Sequence, residues 1–287
     1  MIKDVRIDVL VDDYANPERP MLWPEHGLSL LITIRSGEEE LRILFDAGAS
    51  GESLLHNSRL IGADLNAIDV VVLSHGHYDH TGGLAAALET SRTPIPVIAH
   101  PDALCKKFAL KPRLRYTGIP YREAELERLG GRFLYSRKPI ELADGILVTG
   151  EIPRENAFEE TPEHYVILRD GELTRDYMLD DQALVIRGGR GLTIVTGCAH
   201  AGIINTIDYA RRITGIKEVH AVIGGFHLVD ADEERLRNTL NRLKEADPKL
   251  IAPCHCTGET ATKLIRDCFG ARFMELRVGS TLELRNL

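Results

Sequence analysis

The stretch Ser74-His75-Gly76-His77-Tyr78-Asp79-His80-Thr81-Gly82-Gly83 decides how the rest of this sequence is interpreted. It follows the apolar run Asp69–Leu73, whose β-branched residues predict a buried strand. A strand that ends in a glycine-containing turn can direct several side chains of one loop toward a common point. The candidate ligands in this loop are His75, His77, Asp79 and His80. Imidazole nitrogens with one carboxylate suit zinc, iron or manganese better than calcium or magnesium, so the stretch predicts a transition-metal site.

Short apolar runs rich in valine and isoleucine recur on both sides of this loop and predict β-strands. These runs are Val5–Val11, Leu28–Ile34, Leu41–Phe45, Val70–Leu73, Pro96–Ala99, Tyr165–Leu168, Leu192–Val195, Val219–Ile223 and Leu250–Pro253. Helical spacing of apolar residues is found in Ile203–Ile213, Thr260–Phe269 and Glu233–Ala246, the last with Asp232 as its predicted N-cap. The pattern predicts a mixed α/β fold in which helices cover sheets.

The composition is that of a folded protein without an electrostatic preference for nucleic acid. The chain has 287 residues, enough to bury the core of one large domain. Its 35 lysines and arginines against 43 aspartates and glutamates give a net charge of −8, which argues against a nucleic-acid partner. The five cysteines are an odd number without CxxC pairs, so we expect no structural disulfides.

Neither a membrane span nor an export signal is expected. No apolar run approaches the roughly 18 residues that a membrane-spanning helix needs, so we expect no membrane partner. The start of the chain carries lysine and aspartate where a secretory signal needs an apolar stretch. We therefore expect a cytoplasmic protein, and the oligomeric state stays open, a homo-oligomer included.

The segment 101–163 differs from its surroundings because it is highly charged and has few long apolar runs. We interpret it as a lid or surface insertion within a single domain that spans residues 1–287. Its basic residues are candidate phosphate contacts, since a guanidinium group matches the oxygens of a phosphate. These residues are Lys111, Arg113, Arg115 and Arg154. The alternative is that they are solvated surface charges.

The histidine motif resembles that of the metallo-β-lactamase superfamily. Three other segments resemble further motifs of that superfamily: Ile43–Gly48, Gly197–His200 and Pro253–Gly258. The resemblance covers residues 28–280, nearly the whole chain. It implies an α/β (α+β) fold of the αββα type, in which two mixed sheets pack face to face with helices outside.

The resemblance also implies two adjacent divalent metal ions. One would be held by His75, His77 and His200, and the other by Asp79, His80 and His255. Asp46 would support the site without binding metal, and Thr257 is a candidate supporting or substrate-contacting residue. Zinc is expected first, with manganese, iron or magnesium as alternatives.

One segment departs from the superfamily pattern. Gly225 stands where most members have an acidic residue that bridges both metals. Either His227 replaces it as a ligand or substrate contact, or the second site is weaker and open. Asp180 and Asp181 are other possible sources of a carboxylate, although acidic turn residues usually are solvated or cap backbone groups. The candidate catalytic residues are Asp79 and His227.

Three cysteines lie beside the proposed ligands, namely Cys198, Cys254 and Cys256. A thiolate would suit zinc. Because the histidines already complete the superfamily pattern, we interpret these cysteines as packing residues around the site, with metal ligation as the alternative.

The motifs SHGHYDHTGG, GCAHAGI, GGFHL and PCHCTG together resemble one archaeal subfamily that acts in methanopterin biosynthesis. That resemblance implies a small phosphorylated substrate, with a dihydropterin methyl diphosphate joined to a ribofuranosylaminobenzene phosphate and pyrophosphate released. The first alternative is a metal-dependent hydrolase of a phosphate, ester or amide. The second is an iron redox protein or metal-binding sensor, but redox members typically carry an acidic residue at the position of His77.

Overall fold

Two large β-sheets form the centre of the protein in the computed structural model, which describes residues 2–287. The strands are β1 (Asp4–Val11), β2 (Ser29–Ser36), β3 (Glu39–Phe45), β4 (Val70–Val72), β5 (Ile95–Ala99), β6 (Lys106–Ala109), β7 (Arg115–Tyr116), β8 (Gly131–Tyr135), β9 (Ile140–Ala143), β10 (Ile146–Val148), β11 (Tyr165–Arg169), β12 (Glu172–Arg175), β13 (Ala183–Gly188), β14 (Gly191–Thr196), β15 (Val219–Gly225), β16 (Leu250–Cys254) and β17 (Thr281–Arg285). The helices are α1 (Gly51–Ile61), α2 (Tyr78–Thr81), α3 (Leu84–Thr90), α4 (Glu123–Arg128), α5 (Ile203–Thr214), α6 (Glu233–Ala246) and α7 (Glu259–Phe269).

Both large sheets mix parallel and antiparallel strands. The seven-stranded sheet has the order β17-β1-β2-β3-β4-β5-β8, and the six-stranded sheet has the order β16-β15-β14-β13-β10-β9. A smaller sheet has the order β12-β11-β6-β7. Strands β3, β4, β5 and β8 run parallel to one another, as do β14, β15 and β16. In each parallel group the strands therefore end at the same edge of their sheet.

Alternate residues along the strands separate the core into three layers. Ile43 of β3 and Leu184 of β13 belong to the cluster between the two large sheets. Their chain neighbours point the other way: Leu44 packs with Leu54 of α1, and Val185 packs with residues of α5 such as Ile207. Helices thus cover the outer face of each sheet, and the αββα fold predicted from the sequence is confirmed.

The segment 101–163 does not form one separate unit. Strand β8 joins the edge of the seven-stranded sheet, while β9 and β10 extend the six-stranded sheet. Only β6 and β7 from this segment enter the small sheet, where β6 pairs with β11. The Tyr78 amide donates to the carbonyl of Thr117 (3.0 Å), directly after β7, so the small sheet lies against the histidine loop. Of this segment, β6 and β7 are therefore the strands that belong to the sheet beside the histidine loop.

No helix within residues 2–287 is long and apolar enough to cross a membrane.

Candidate metal centre

The histidine loop lies at the end of β4 and continues directly into α2. His77 precedes the first residue of α2, and Asp79 and His80 lie within that helix. A Cβ atom at Gly76 would lie 1.9 Å from the carbonyl oxygen of Ala103, so only glycine lets the loop pass this close to its neighbour. The loop therefore carries two histidines before the helix and two further candidate ligands on its first turn.

The three-histidine cluster consists of His75, His77 and His200. One ring nitrogen from each lies within 4.8 Å of the others, and all three side chains are buried. His77 Nε2 and both ring nitrogens of His200 have no hydrogen-bond partner among residues 2–287. Leaving buried polar atoms unpaired costs about 1–3 kcal/mol each, so the arrangement favours a cation that accepts their lone pairs.

Burial keeps the rings of this cluster neutral. It holds the pKa of His75 and of His200 well below the ordinary value of 6.5 and lowers that of His77 to about 3. A metal ligand needs the deprotonated nitrogen of a neutral imidazole. The cluster therefore presents metal-binding lone pairs at neutral pH.

The four-residue cluster consists of Asp79, His80, Cys198 and His255, all buried. His80 Nε2 lies 3.2 Å from His255 Nε2, and one Asp79 carboxylate oxygen lies 3.5 Å from each of these nitrogens. Cys198 Sγ lies 3.2 Å from His80 Nε2 and 3.4 Å from His255 Nε2. Nitrogen, oxygen and sulfur donors thus converge on one point, as expected of a metal site.

Two carboxylates orient the imidazoles of the four-residue cluster. Asp46 accepts a hydrogen bond from His80 Nδ1 (2.7 Å) and is itself held by the backbone N–H (2.7 Å) and hydroxyl (2.6 Å) of Ser74. Asp13 accepts from His255 Nδ1 (2.5 Å). Because each Nδ1 donates to a carboxylate, each Nε2 is left to face the centre of the cluster.

A cleft of about 250 Å³ opens beside the two clusters. Its wall includes Tyr78, Arg115, Tyr165 and Asp230, together with His77 and other residues of both clusters. The ring of Tyr165 lies 5.6 Å from that of His77, and burial raises the pKa of Tyr165 to about 12, so its hydroxyl stays protonated. The cleft therefore offers aromatic surface and one guanidinium group beside the candidate metal ligands.

The sequence-family model of the metallo-β-lactamase superfamily matches residues 22–255 of this chain. This chain belongs to the metallo-β-lactamase superfamily. It is 38% identical to the 7,8-dihydropterin-6-methyl-4-(β-D-ribofuranosyl)-aminobenzene-5'-phosphate synthase of Methanocaldococcus jannaschii, over 98% of this chain and 97% of that protein. An uncharacterised protein of the same organism is 37% identical over 90% of this chain and 93% of its own length.

A solved structure agrees with this assignment over the whole fold. The crystal structure of Tm1679, a metal-dependent hydrolase of the β-lactamase superfamily, superposes with a TM-score of 0.82 at 30% identity, covering 98% of this chain and 99% of that one. Members of the metallo-β-lactamase superfamily usually bind divalent metals, and the two clusters provide donor sets that fit such ions. The superfamily and the synthase relative support an enzyme.

Gly225, which the sequence analysis assigned to the bridging-carboxylate position, has no room for a side chain. A Cβ atom at Gly225 would lie 2.3 Å from the carbonyl oxygen of Gly197 and 2.6 Å from Cys256 Sγ. His227, two residues later, lies with its ring 4.2 Å from that of His200 and forms a third donor group with His200 and Cys198. The structure therefore places an imidazole, and no carboxylate, in this donor group.

Two residues proposed as supporting or substrate contacts, Arg154 and Thr257, bind backbone groups. Arg154 donates to the carbonyls of Met178 (2.6 Å) and Ile152 (3.3 Å) and does not line the cleft. Thr257 donates to the Cys254 carbonyl (2.8 Å) and accepts from the Phe226 amide (3.1 Å). Thr257 thus joins the loops after β15 and β16. Of the basic residues proposed as phosphate contacts, only Arg115 lines the cleft.

The two acidic turn residues, Asp180 and Asp181, accept hydrogen bonds from backbone amides of the loops that carry the candidate ligands. Asp180 accepts from the Gly76 amide (2.8 Å) and from Lys107 Nζ (2.9 Å), and Asp181 accepts from the Ala201 amide (2.9 Å). Lys107 is buried, and the nearby carboxylates outweigh that burial and raise its pKa. Neither Asp180 nor Asp181 belongs to a donor group among residues 2–287.

The sequence pattern does not single out Asp13 or His26. Asp13 lies between the rings of His255 and His26, and His26 Nδ1 is 2.8 Å from it. His26 Nε2 lies 3.5 Å from Asp79, at the rim of the cleft. One sequence feature could have indicated Asp13: the pair Asp12-Asp13 directly follows β1, and other residues of the site also follow strands.

Proposed function

We propose that this chain is a binuclear metal-dependent enzyme that joins a dihydropterin methyl diphosphate to a ribofuranosylaminobenzene phosphate. One observation carries the choice of reaction: 38% identity over nearly the full length of both chains to the synthase of Methanocaldococcus jannaschii. In this reaction the aromatic amine nitrogen forms a bond to the pterin methylene carbon. The carbon–oxygen bond breaks, its electron pair leaves with pyrophosphate, and an amine proton goes to solvent.

The two clusters would hold the metal ions. The three-histidine cluster presents neutral imidazoles, while the four-residue cluster adds a carboxylate and a thiol. Two bound divalent ions would supply positive charge that stabilises the departing pyrophosphate. The protein's own contribution is to orient the donors, through Asp46 and Asp13, before any substrate arrives.

The cleft provides contacts suited to the two halves of such a substrate. Tyr78 and Tyr165 present aromatic surface, which can pack against a flat heterocycle. Arg115 can donate paired hydrogen bonds to phosphate oxygens. The small sheet formed by β6, β7, β11 and β12 carries both Arg115 and Tyr165, so we propose that it shields the diphosphate from water.

Hydrolysis is the second candidate, because the Tm1679 structure at 30% identity is of a metal-dependent hydrolase. Water would then take the place of the amine, and the same metal ions and cleft would be used.

The test is pyrophosphate release from dihydropterin methyl diphosphate by the full chain loaded with zinc, with and without the amine substrate. We expect release to depend on the amine and to match formation of the coupled product. His77→Ala is the blank, and His56→Ala, which changes a histidine stacked on Trp23 outside the cleft, is the matched control. Equal release without amine would favour the hydrolase, and no release would remove the pterin substrate from the proposal.

A further inference from the structure

Three carboxylates line the cleft beside the two clusters, and two of them already have partners. Asp13 accepts hydrogen bonds from the rings of His26 and His255. Asp79 belongs to the four-residue cluster. The side chain of the third, Asp230, is exposed and has neither a hydrogen bond nor an ion pair among the residues that the structure describes. Its two oxygens are therefore free to accept hydrogen bonds from a ligand in the cleft.

The turn that carries Asp230 is fixed to the loop that follows β16. The amides of Leu228 and Val229 both donate to the carbonyl of Cys256, at 3.2 Å each. A Cβ atom at Gly258 would lie 2.8 Å from the Cα of Val229, so glycine lets the two loops pack this closely. Asp230 is thus held at a defined position relative to the candidate metal ligands before any substrate binds.

A positive charge without a partner lies in the same cleft. The guanidinium group of Arg115 has no hydrogen bond or ion pair among the described residues. Burial raises the pKa of Tyr165 to about 12, and the nearby Asp230 carboxylate adds to this rise while Arg115 opposes it. Both charges therefore lie near the Tyr165 ring without forming an ion pair with each other. The cleft presents a cation, an anion and an aromatic ring to a ligand.

These three groups favour a ligand with complementary chemistry. A guanidinium group matches phosphate oxygens, and an aromatic ring packs against a flat heterocycle. A carboxylate binds best to two parallel N–H donors, because each of its oxygens can accept one hydrogen bond. A pterin has such a pair at the edge of its ring, where the 2-amino group lies beside the N3–H group. A simple phosphate ester has no such pair.

We propose that Asp230 is a specificity-determining residue that accepts two hydrogen bonds from the 2-amino and N3–H groups of the pterin ring. The inference rests on the proposed function, because the pterin is one of its two substrates. The ribose hydroxyls of the other substrate are a second pair of donors, but they do not belong to a flat ring that can pack on Tyr165 beside Asp230. Asp230 determines which heterocycle binds in the cleft, and it takes no part in the bond changes.

The experiment compares Asp230→Asn with the wild type by pyrophosphate release from the zinc-loaded full chain. Asparagine keeps the size of the side chain, but it replaces one acceptor oxygen by an NH₂ group that faces the pterin donors. We expect the KM for dihydropterin methyl diphosphate to rise at least about 10-fold, while kcat and the KM for the amine change by less than about 2-fold. Asp170→Asn is the matched control, since Asp170 is an exposed turn aspartate outside the cleft, and it should keep the wild-type KM.

A pterin diphosphate analogue without the 2-amino group provides a second readout. In the wild type its KM should be at least about 10-fold above that of the parent substrate, and in Asp230→Asn the two KM values should be about equal. Equal KM values in the wild type would overturn the inference without the need for a variant.

The other outcomes separate this inference from the proposed function. If the wild type joins the two substrates but Asp230→Asn keeps its KM for the pterin, or raises only the KM for the amine, the inference falls and the proposed function stands. If pyrophosphate release does not need the amine, hydrolysis replaces the joining reaction, and the same KM values still decide the role of Asp230. If the wild type releases no pyrophosphate from the pterin substrate, both fall.

Discussion

The three-histidine cluster and the four-residue cluster lie side by side, but they differ in the chemical types of their ligands and in how those ligands are held. The first contains neutral imidazoles, and several of its nitrogens have no partner among residues 2–287. The second mixes imidazole, carboxylate and thiol, and two carboxylates outside the cluster orient its rings. A neutral cluster depends on the position of its loops, whereas the mixed cluster also depends on hydrogen bonds to its ligands. Each can therefore be disrupted separately.

The largest effect is expected from His77→Ala, which removes one ligand of the three-histidine cluster. His77 Nε2 is buried and unpartnered, so its loss should lower turnover at least about 1,000-fold through loss of metal, without removing core packing. Turnover and circular dichroism should be measured on the same sample. If His77→Ala keeps wild-type turnover, His77 is not a metal ligand.

Lys107→Met should disturb the same cluster through its supporting loop. Lys107 Nζ binds Asp176 (2.7 Å) and Asp180 (2.9 Å), and Asp180 in turn accepts from the Gly76 amide between the two histidines. Removing one partner of a buried ion pair costs about 3–5 kcal/mol, measurable by urea unfolding of the metal-free protein. Lys106→Met, an exposed neighbour on the same strand, should change stability by less than about 0.5 kcal/mol. Equal stability of the two variants would contradict the supporting role.

Asp46→Asn should weaken the four-residue cluster without removing a ligand. Asp46 is fully buried and fixes the ring of His80 while accepting two hydrogen bonds from Ser74. Loss of such an orienting carboxylate typically costs about 10- to 100-fold in metal affinity or activity. Zinc titration should show weakening of one equivalent only. Equal weakening of both equivalents would mean that the two clusters are not separable.

Asp13→Asn should act on the same cluster with a smaller effect. Asp13 orients His255 as Asp46 orients His80, but its side chain is partly exposed, so water can replace part of the interaction. We expect about a 10-fold loss of affinity for the same zinc equivalent, at the lower end for this kind of residue. If Asp13→Asn loses more zinc affinity than Asp46→Asn, Asp13 contributes more to this cluster than Asp46 does, which contradicts the prediction.

The smallest effect concerns the cleft and leaves both clusters unchanged. Arg115→Gln should raise the KM for the diphosphate substrate about 10-fold while kcat stays near the wild-type value, because the guanidinium lines the cleft without contacting a cluster. Arg113→Gln, which changes an exposed residue outside the cleft, is the control. If the two variants have the same KM, Arg115 does not contact the substrate.

Each of the nine predicted apolar runs overlaps a strand of the structure, but the buried strand β13 was not predicted. Helix α6 has the predicted bounds, and Asp232 caps it by accepting from the Arg235 amide (2.7 Å). Strands β8 and β9 were harder to predict because they are edge strands with several exposed residues, so their composition resembles that of a loop. Their pairing partners, which lie elsewhere in the chain, decide their conformation.

The same distinction holds for the candidate site. The resemblance to the superfamily motifs implied that His75, His77 and His200 group together, and the structure places one ring nitrogen of each within 4.8 Å of the others. The position of Cys198 between two clusters could not be predicted, since a buried thiol packs as readily as it binds metal and only its neighbours decide. Asp13 and His255 are 242 positions apart in the sequence, so their contact could not be predicted from a local sequence pattern.

Zinc stoichiometry of the full chain tests the central claim most directly. Metal-free wild type, His77→Ala and His80→Ala should be titrated with zinc and the bound metal counted after gel filtration. The account predicts two tightly bound ions in the wild type and one in each variant, because each substitution removes a ligand from a different cluster. A single ion in the wild type, or two ions retained in both variants, would contradict it.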